Sequence, residues 1–121
     1  MSVGISALFF FLGQIKKLAD LAKTERTEAI NALTPAVAQT IAYTTRCEQG
    51  RPRDLGIEEK LHELWFEASV KVHPYNKDLS LICREKARYW LKYDEYKEEE
   101  IKERNIRLID IARTLDEMIE R

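Results

Sequence analysis

From Ile5 onward, apolar side chains return every three or four residues, at Ile5, Leu8, Phe9, Leu12, Ile15, Leu18, Ala19 and Ala22. That recurrence draws a stripe down one side of an α-helix, where a strand would alternate residue by residue. It predicts a first helix from about Ser6 to Lys23. Phe10 and Phe11 fall beside the stripe and widen it. Three successive aromatics, Phe9, Phe10 and Phe11, fan over about 200° of a helix, more than one packing face covers. Either two neighbouring helices sandwich this one or another chain covers it.

A second helical region spans roughly Glu25 to Glu48, carried by Ala29, Ile30, Leu33, Val37, Ile41 and Thr44 or Thr45. Pro35 interrupts it, because proline lacks the backbone donor and its ring crowds the preceding turn. Thr34 and Pro35 suit the N-cap and first position of a fresh helix, so a kink or break is expected near Thr34. Gly50 is a helix stop, followed by a loop from Arg51 to Gly56. A third helix, about Ile57 to Val72, has its apolar face at Ile57, Leu61, Leu64, Trp65, Ala68 and Val72. Pro74 follows its end, and Asp78 is placed to cap a fourth helix bearing Leu79, Ile82, Cys83, Ala87, Trp90 and Leu91. Lys86 is the polar exception on that face, with a stem long enough to reach water. The last helix, about Asp94 to Ile119, repeats Ile101, Asn105, Leu108, Ala112, Leu115 and Ile119 in alternating steps of four and three. That is a heptad seam, broadened by Ile106, Ile109 and Ile111, with Asn105 read as a solvated position on it.

Four or five helices with short connections imply an all-α, antiparallel up-and-down bundle, its second helix kinked or broken near Pro35. Its 121 residues are the size of a single domain, residues 1–121. A chain of this length hides about two-thirds of its unfolded surface, enough to fold without metals or disulfides. Composition agrees, since 45% of residues are hydrophobic and 34% charged, with only 4 Gly and 3 Pro to make the turns a β-protein needs.

Charge narrows the choice of partner. With 20 basic and 21 acidic residues the net charge is −1, so global charge gives no pull toward nucleic acid or an anionic membrane. Locally, Arg84, Lys86, Arg88 and Lys92 interleave with Tyr89, Trp90 and Tyr93, and Arg84, Arg88 and Lys92 share one helix face. Basic groups beside aromatic rings can bind phosphates and stack on bases, but Trp90 points toward the core. Arg51 and Arg53 stand just ahead of a helix N-terminus, where an anion can be held. Internal pairing of Arg53 or Asp54 with a neighbouring helix is the favoured reading of that loop.

Two cysteines, Cys47 and Cys83, make no disulfide framework and read as structural thiols in a reducing, cytoplasmic setting. The apolar stretch Val3–Gly13 is far shorter than the ~20 residues a membrane span needs. Lys16 and Lys17 follow it, whereas a signal peptide carries its positive charge ahead. Attachment to a membrane surface is disfavoured because the helix lacks a strongly basic polar face.

No motif commits the chain to a reaction. Glu59 and His62 match one Glu-x-x-His element of di-iron bundles, but the second element is missing, because Val70 stands three residues before His73. His62-Glu63-Leu64 shares only His-x-Leu with histidine phosphotransfer domains, and Trp65 and Phe66 follow where a partner would need small residues. Neither histidine has an arginine at the upstream spacing of helical ribonucleases, and no nucleophile–base pair or glycine-rich phosphate loop occurs. The expectation is a non-enzymatic helical interaction module without metal or cofactor. It would self-associate as a homo-oligomer or dock another protein through Phe9, Phe10 and Phe11. Binding of nucleic acid or a phosphorylated ligand through Arg51, Arg53, Arg84, Arg88 and Lys92 is the alternative. A metal or catalytic role around Glu59 and His62 stands behind both.

Overall fold

A computed structural model describes the backbone of residues 3–91 and 98–119, and side chains over 10–90 and 108–119. Among the described residues there is no strand. The elements are α1 (Val3–Lys17), a 3-10 turn (Leu18–Asp20), α2 (Lys23–Glu48), α3 (Leu55–Val72), α4 (Lys77–Leu91) and α5 (Glu98–Ile119). The chain folds as an all-α bundle. Hydrogen bonds made by side chains between helices give the directions. Ser69 meets Ser80 and His62 meets Ala87, so α3 and α4 are antiparallel. Thr40 meets Trp65 and Tyr43 meets Glu58, which sets α2 antiparallel to α3. Each helix packs on two neighbours, and the order α1, α4, α3, α2, α5 closes back on α1.

The ends of the helices follow from local chemistry. α1 gives way at Leu18 to a tight turn, earlier than its apolar periodicity suggests, and Leu21 is extended. Arg26 donates to the freed Ala19 carbonyl at 3.3 Å. α2 runs through Pro35 without a break. The Thr34 hydroxyl, expected to cap a new helix, turns back to the Ile30 carbonyl at 2.8 Å. A proline inside a helix costs about 3 kcal/mol, whereas burying Ile30, Leu33 and Val37 contributes roughly 1.5–3 kcal/mol each. All three are buried on the face away from the exposed Pro35, so packing wins.

Gly50 ends α2 at φ 91°, left-handed backbone that suits glycine. The Arg51 N–H reaches the Arg46 carbonyl at 3.2 Å and the Gly50 N–H reaches that of Cys47 at 3.0 Å, the paired bonds of a Schellman motif. α3 begins two residues before Ile57, since the Asp54 carboxylate accepts from the Ile57 N–H at 3.2 Å and caps it. Asn76, not Asp78, caps α4: its Oδ1 accepts from the Leu79 N–H at 3.0 Å. The same side chain donates to Gln14 Oε1 at 2.9 Å, tying α1 to the α3–α4 turn. The expected start of the last helix at Asp94 and the side chain of Asn105 lie outside the described residues.

Trp65 is the centre of the core. Fully buried, it meets the edge of Phe11 with centroids 6.4 Å apart, and its indole N–H donates to Thr40 Oγ1 at 2.9 Å. The Thr40 hydroxyl in turn donates to the Ala36 carbonyl at 2.7 Å. α3 and α4 approach closely through Ala68, Ser69, Ser80, Cys83 and Ala87, and Ser80 Oγ donates to the Ser69 carbonyl at 2.7 Å. Among the described residues no buried side-chain nitrogen or oxygen lacks a hydrogen-bond partner.

Candidate interaction surface

The aromatic triplet does not behave as one unit. Phe11 is 3% exposed and belongs to the core against Trp65, which removes it from any contact with a partner. Phe10 is 50% exposed, and the side chain of Phe9 lies outside the described residues. The physical reason is the ring of helices. α1 packs on both α4 and α5, which takes Phe11 into the core and leaves Phe10 half exposed. Lys86 reaches over the outer part of this packing, its ammonium 5.8 Å from the Phe11 ring centroid.

The basic candidates are also dispersed. Arg53 is engaged inside the protein. Its Nε and Nη2 donate to the two oxygens of Glu58 at 2.9 and 2.5 Å, a bidentate pair. The Tyr43 hydroxyl donates to the same carboxylate at 2.5 Å and accepts from the Asp54 N–H at 2.9 Å. Tyr43 also packs edge-on against Trp90, centroids 5.8 Å apart. Burial raises the Tyr43 phenol well above its usual value, and its bond to the Glu58 carboxylate raises it further. The cluster fastens the end of α2, the loop and the first turn of α3 together. With Glu58 buried and its oxygens already accepting from Arg53 and Tyr43, it offers no free base.

Arg51 is exposed on the loop, and Arg84 and Arg88 are exposed on α4. Arg88 pairs with Glu85 at 3.1 Å, and the Arg84 guanidinium lies 6.0 Å from the Phe66 ring centroid. Lys92 and Tyr93 lie outside the described residues. Tyr89 and Trp90 are buried against each other, edge to face at 4.8 Å, so neither presents a ring for a base to stack on. Glu59 is exposed, while His62 is half-buried with Nδ1 donating to the Ala87 carbonyl at 2.9 Å. Among the described residues no three His, Cys, Asp or Glu side chains gather to hold a metal ion. Both cysteines are free; Cys83 is buried, and burial pushes its thiol up to about 12. No described helix is long and apolar enough to cross a membrane.

What the periodicity does not single out is the outer face of the α3–α4 hairpin. Phe66 and Val70 on α3 are 50% and 52% exposed, and Leu81 on α4 is 60% exposed. They sit opposite the inward positions Ala68 and Leu79, as a step of two residues on a helix requires. Beside them on α3 stand the exposed acids Glu59 and Glu63, with Glu67, Lys60 and Lys71 further round the helix, and on α4 the exposed bases Lys77, Arg84 and Arg88, with the exposed acids Asp78 and Glu85. A signal was present in the sequence: three large apolar residues off the apolar stripe of two adjacent helices. Each alone is unremarkable on a surface, and only the hairpin brings them to one side.

These features define an all-α bundle protein with a mixed-charge, apolar ridge on its third and fourth helices. No protein-family model, curated protein or solved structure matches the chain.

Proposed function

We propose that the protein is a non-enzymatic helical interaction module, working in a reducing cytoplasm, whose contact surface is the outer face of the α3–α4 hairpin. The observation that carries this reading is the exposure of Phe66, Val70 and Leu81 on a hairpin whose inner side is closely packed. Apolar side chains gathered on one face, rimmed by charges, favour burial against another protein by about 25 cal/mol per Å² before association costs. The unpaired thiols of Cys47 and Cys83 suit the reducing setting. Phe10 remains the exposed part of the aromatic triplet and a second apolar contact point.

Nucleic-acid binding is the weaker reading. Arg53 is committed to Glu58, Tyr89 and Trp90 are buried, and the acids of α3 flank the bases of α4 and repel a polyanion. The test is photo-cross-linking in the producing cells, with a photoreactive phenylalanine at position 66 or 81 and, as control, at the exposed position 31. The expected result is discrete protein adducts from 66 and 81 and none from 31. Uncross-linked monomer at all three positions, from well-folded protein, overturns the proposal.

A further inference from the structure

We infer that the outer face of α3–α4 is self-complementary and that its occupant is a second copy of this chain. The inference rests on the interaction reading above and names the partner. On α3 two acids, Glu59 and Glu63, flank the apolar pair Phe66 and Val70, while Glu67, Lys60 and Lys71 lie further round the helix toward α2. On α4 the bases Lys77, Arg84 and Arg88 surround Leu81 on the side toward α3, while the acids Asp78 and Glu85, the latter paired to Arg88, lie on its far side. A face that is acidic on one side and basic on the other repels a copy laid on it helix for like helix. It attracts a copy turned by a twofold axis parallel to the helices, which sets α3 of each molecule on α4 of the other.

The register follows from the hairpin itself. His62 lies level with Ala87, and Ser69 with Ser80. A twofold axis along the helices preserves those levels between copies. Glu63 then faces the level of Arg84 and Arg88 of the second copy, and Val70 faces the level of Lys77 and Leu81 of the second copy. Leu81 of the second copy enters the gap between Phe66 and Val70, which are four residues apart on one helix, as a knob enters a hole. Symmetry repeats every contact, so six apolar side chains form the centre and two acid–base clusters form the rims. One hairpin face on each side places the contact at the small end of specific interfaces, the class of weak, reversible dimers. The exposed Arg84, already lying against Phe66, closes the rim over the apolar centre.

The experiment is sedimentation of the purified full chain over a range of concentrations at low and high salt. Wild type is expected to dimerise, less so at high salt. Glu63→Arg and Arg88→Glu, each reversing one exposed rim charge, are each expected to weaken the dimer by at least about tenfold, and the double variant to restore it. Leu81→Asp is expected to be monomeric at every concentration. Unchanged helical content and melting temperature in each variant exclude misfolding as the cause, since all three sites are exposed. A wild type monomeric at all concentrations, or a dimer that Leu81→Asp and the single charge reversals leave intact, overturns the self-docking inference. Cross-links from positions 66 and 81 to a different protein, with a monomeric wild type, would leave the interaction reading standing and end this one.

Discussion

Removing the Glu58 side chain tests whether the buried cluster at the end of α2 holds the bundle together. Glu58→Ala takes away an acceptor used by Arg53 through two bonds and by the Tyr43 hydroxyl through a third. The Glu58 side chain is 4% exposed, while that of Arg53 is 35% exposed. Breaking a fully buried ion pair costs about 3–5 kcal/mol, chiefly because the orphaned charge stays in a poor solvent. Here the surviving guanidinium regains water, which places the loss at the lower end, about 3 kcal/mol. Tyr43 keeps its bond from the Asp54 N–H but loses its acceptor, which is already counted in that figure. For a chain of this size, about 3 kcal/mol lowers the melting temperature by roughly 12 °C. The control is Glu85→Ala, which removes an ion pair with side chains 68% and 72% exposed and is expected to cost less than about 0.5 kcal/mol. Urea unfolding followed by helical circular dichroism measures both. Tyr43→Phe combined with Glu58→Ala is expected to lose less than the two single variants added together, because they share one hydrogen bond. Equal losses for Glu58→Ala and Glu85→Ala would refute the reasoning, since burial would then give the carboxylate no leverage.

Gly50→Ala, forced to hold φ 91°, is expected to lose about 1 kcal/mol in the same unfolding assay, although nothing lies within 4 Å of the added methyl group. Ser69→Leu puts a large side chain into the α3–α4 crossing and is expected to cost about 2–3 kcal/mol by overpacking, read as a lower urea midpoint. A thiol reagent is expected to label Cys47 in the folded protein and Cys83 only upon unfolding, because Cys83 is buried with its thiol raised to about 12. The same raised thiol, with the raised phenol of Tyr43, sets an alkaline limit on stability. As pH climbs past about 9 the unfolded chain releases the Cys83 proton, and past about 10 that of Tyr43, while the folded chain keeps both, so stability falls. Below about pH 9 neither group contributes a slope, and Cys83→Ala is expected to flatten part of the decline measured by unfolding at pH 8 to 11, roughly the window between the ordinary and raised values.

The rods were legible because their apolar faces are long. Ile15, Leu18, Ile30, Leu33, Leu61, Trp65, Leu79 and Leu115 recur at helical spacing and are all buried. Gly50 announced its turn because left-handed backbone has few alternatives. Boundaries were less legible where several polar residues compete to cap one end. Asn76 wins over Asp78 because it also bonds to Gln14, 62 residues away, a contact that local pattern does not carry. Glu58 is the same kind of case. An acid in the first turn of a helix looks like an ordinary partner for the helix dipole. Its burial comes from Tyr43 and Arg53, which converge only after α2 has turned back on α3. The burial of Phe11 turned on the number of neighbours α1 has, and periodicity in one helix does not count the helices around it.

The placement of the exposed ridge follows from the closeness of α3 and α4. A crossing built on Ala68, Ser69, Ser80, Cys83 and Ala87 leaves no room for a large side chain between the helices. Phe66, three residues before Ser69 on the same helix, is turned outward onto Arg84, and Leu81, next to Ser80, is turned out beside it. Small residues inside therefore imply that large residues on these helices stand outside or on the core flank. The same closeness fixes the ridge on a rigid base, tied at both ends by the Ser80 bond to Ser69 and the His62 bond to Ala87. Because the backbone beneath the ridge is already packed, a partner docking there would order little backbone on binding. A ridge of only three large apolar side chains would thus lose little of its burial energy to backbone ordering, and the cost left to overcome would be chiefly the lost translational and rotational freedom.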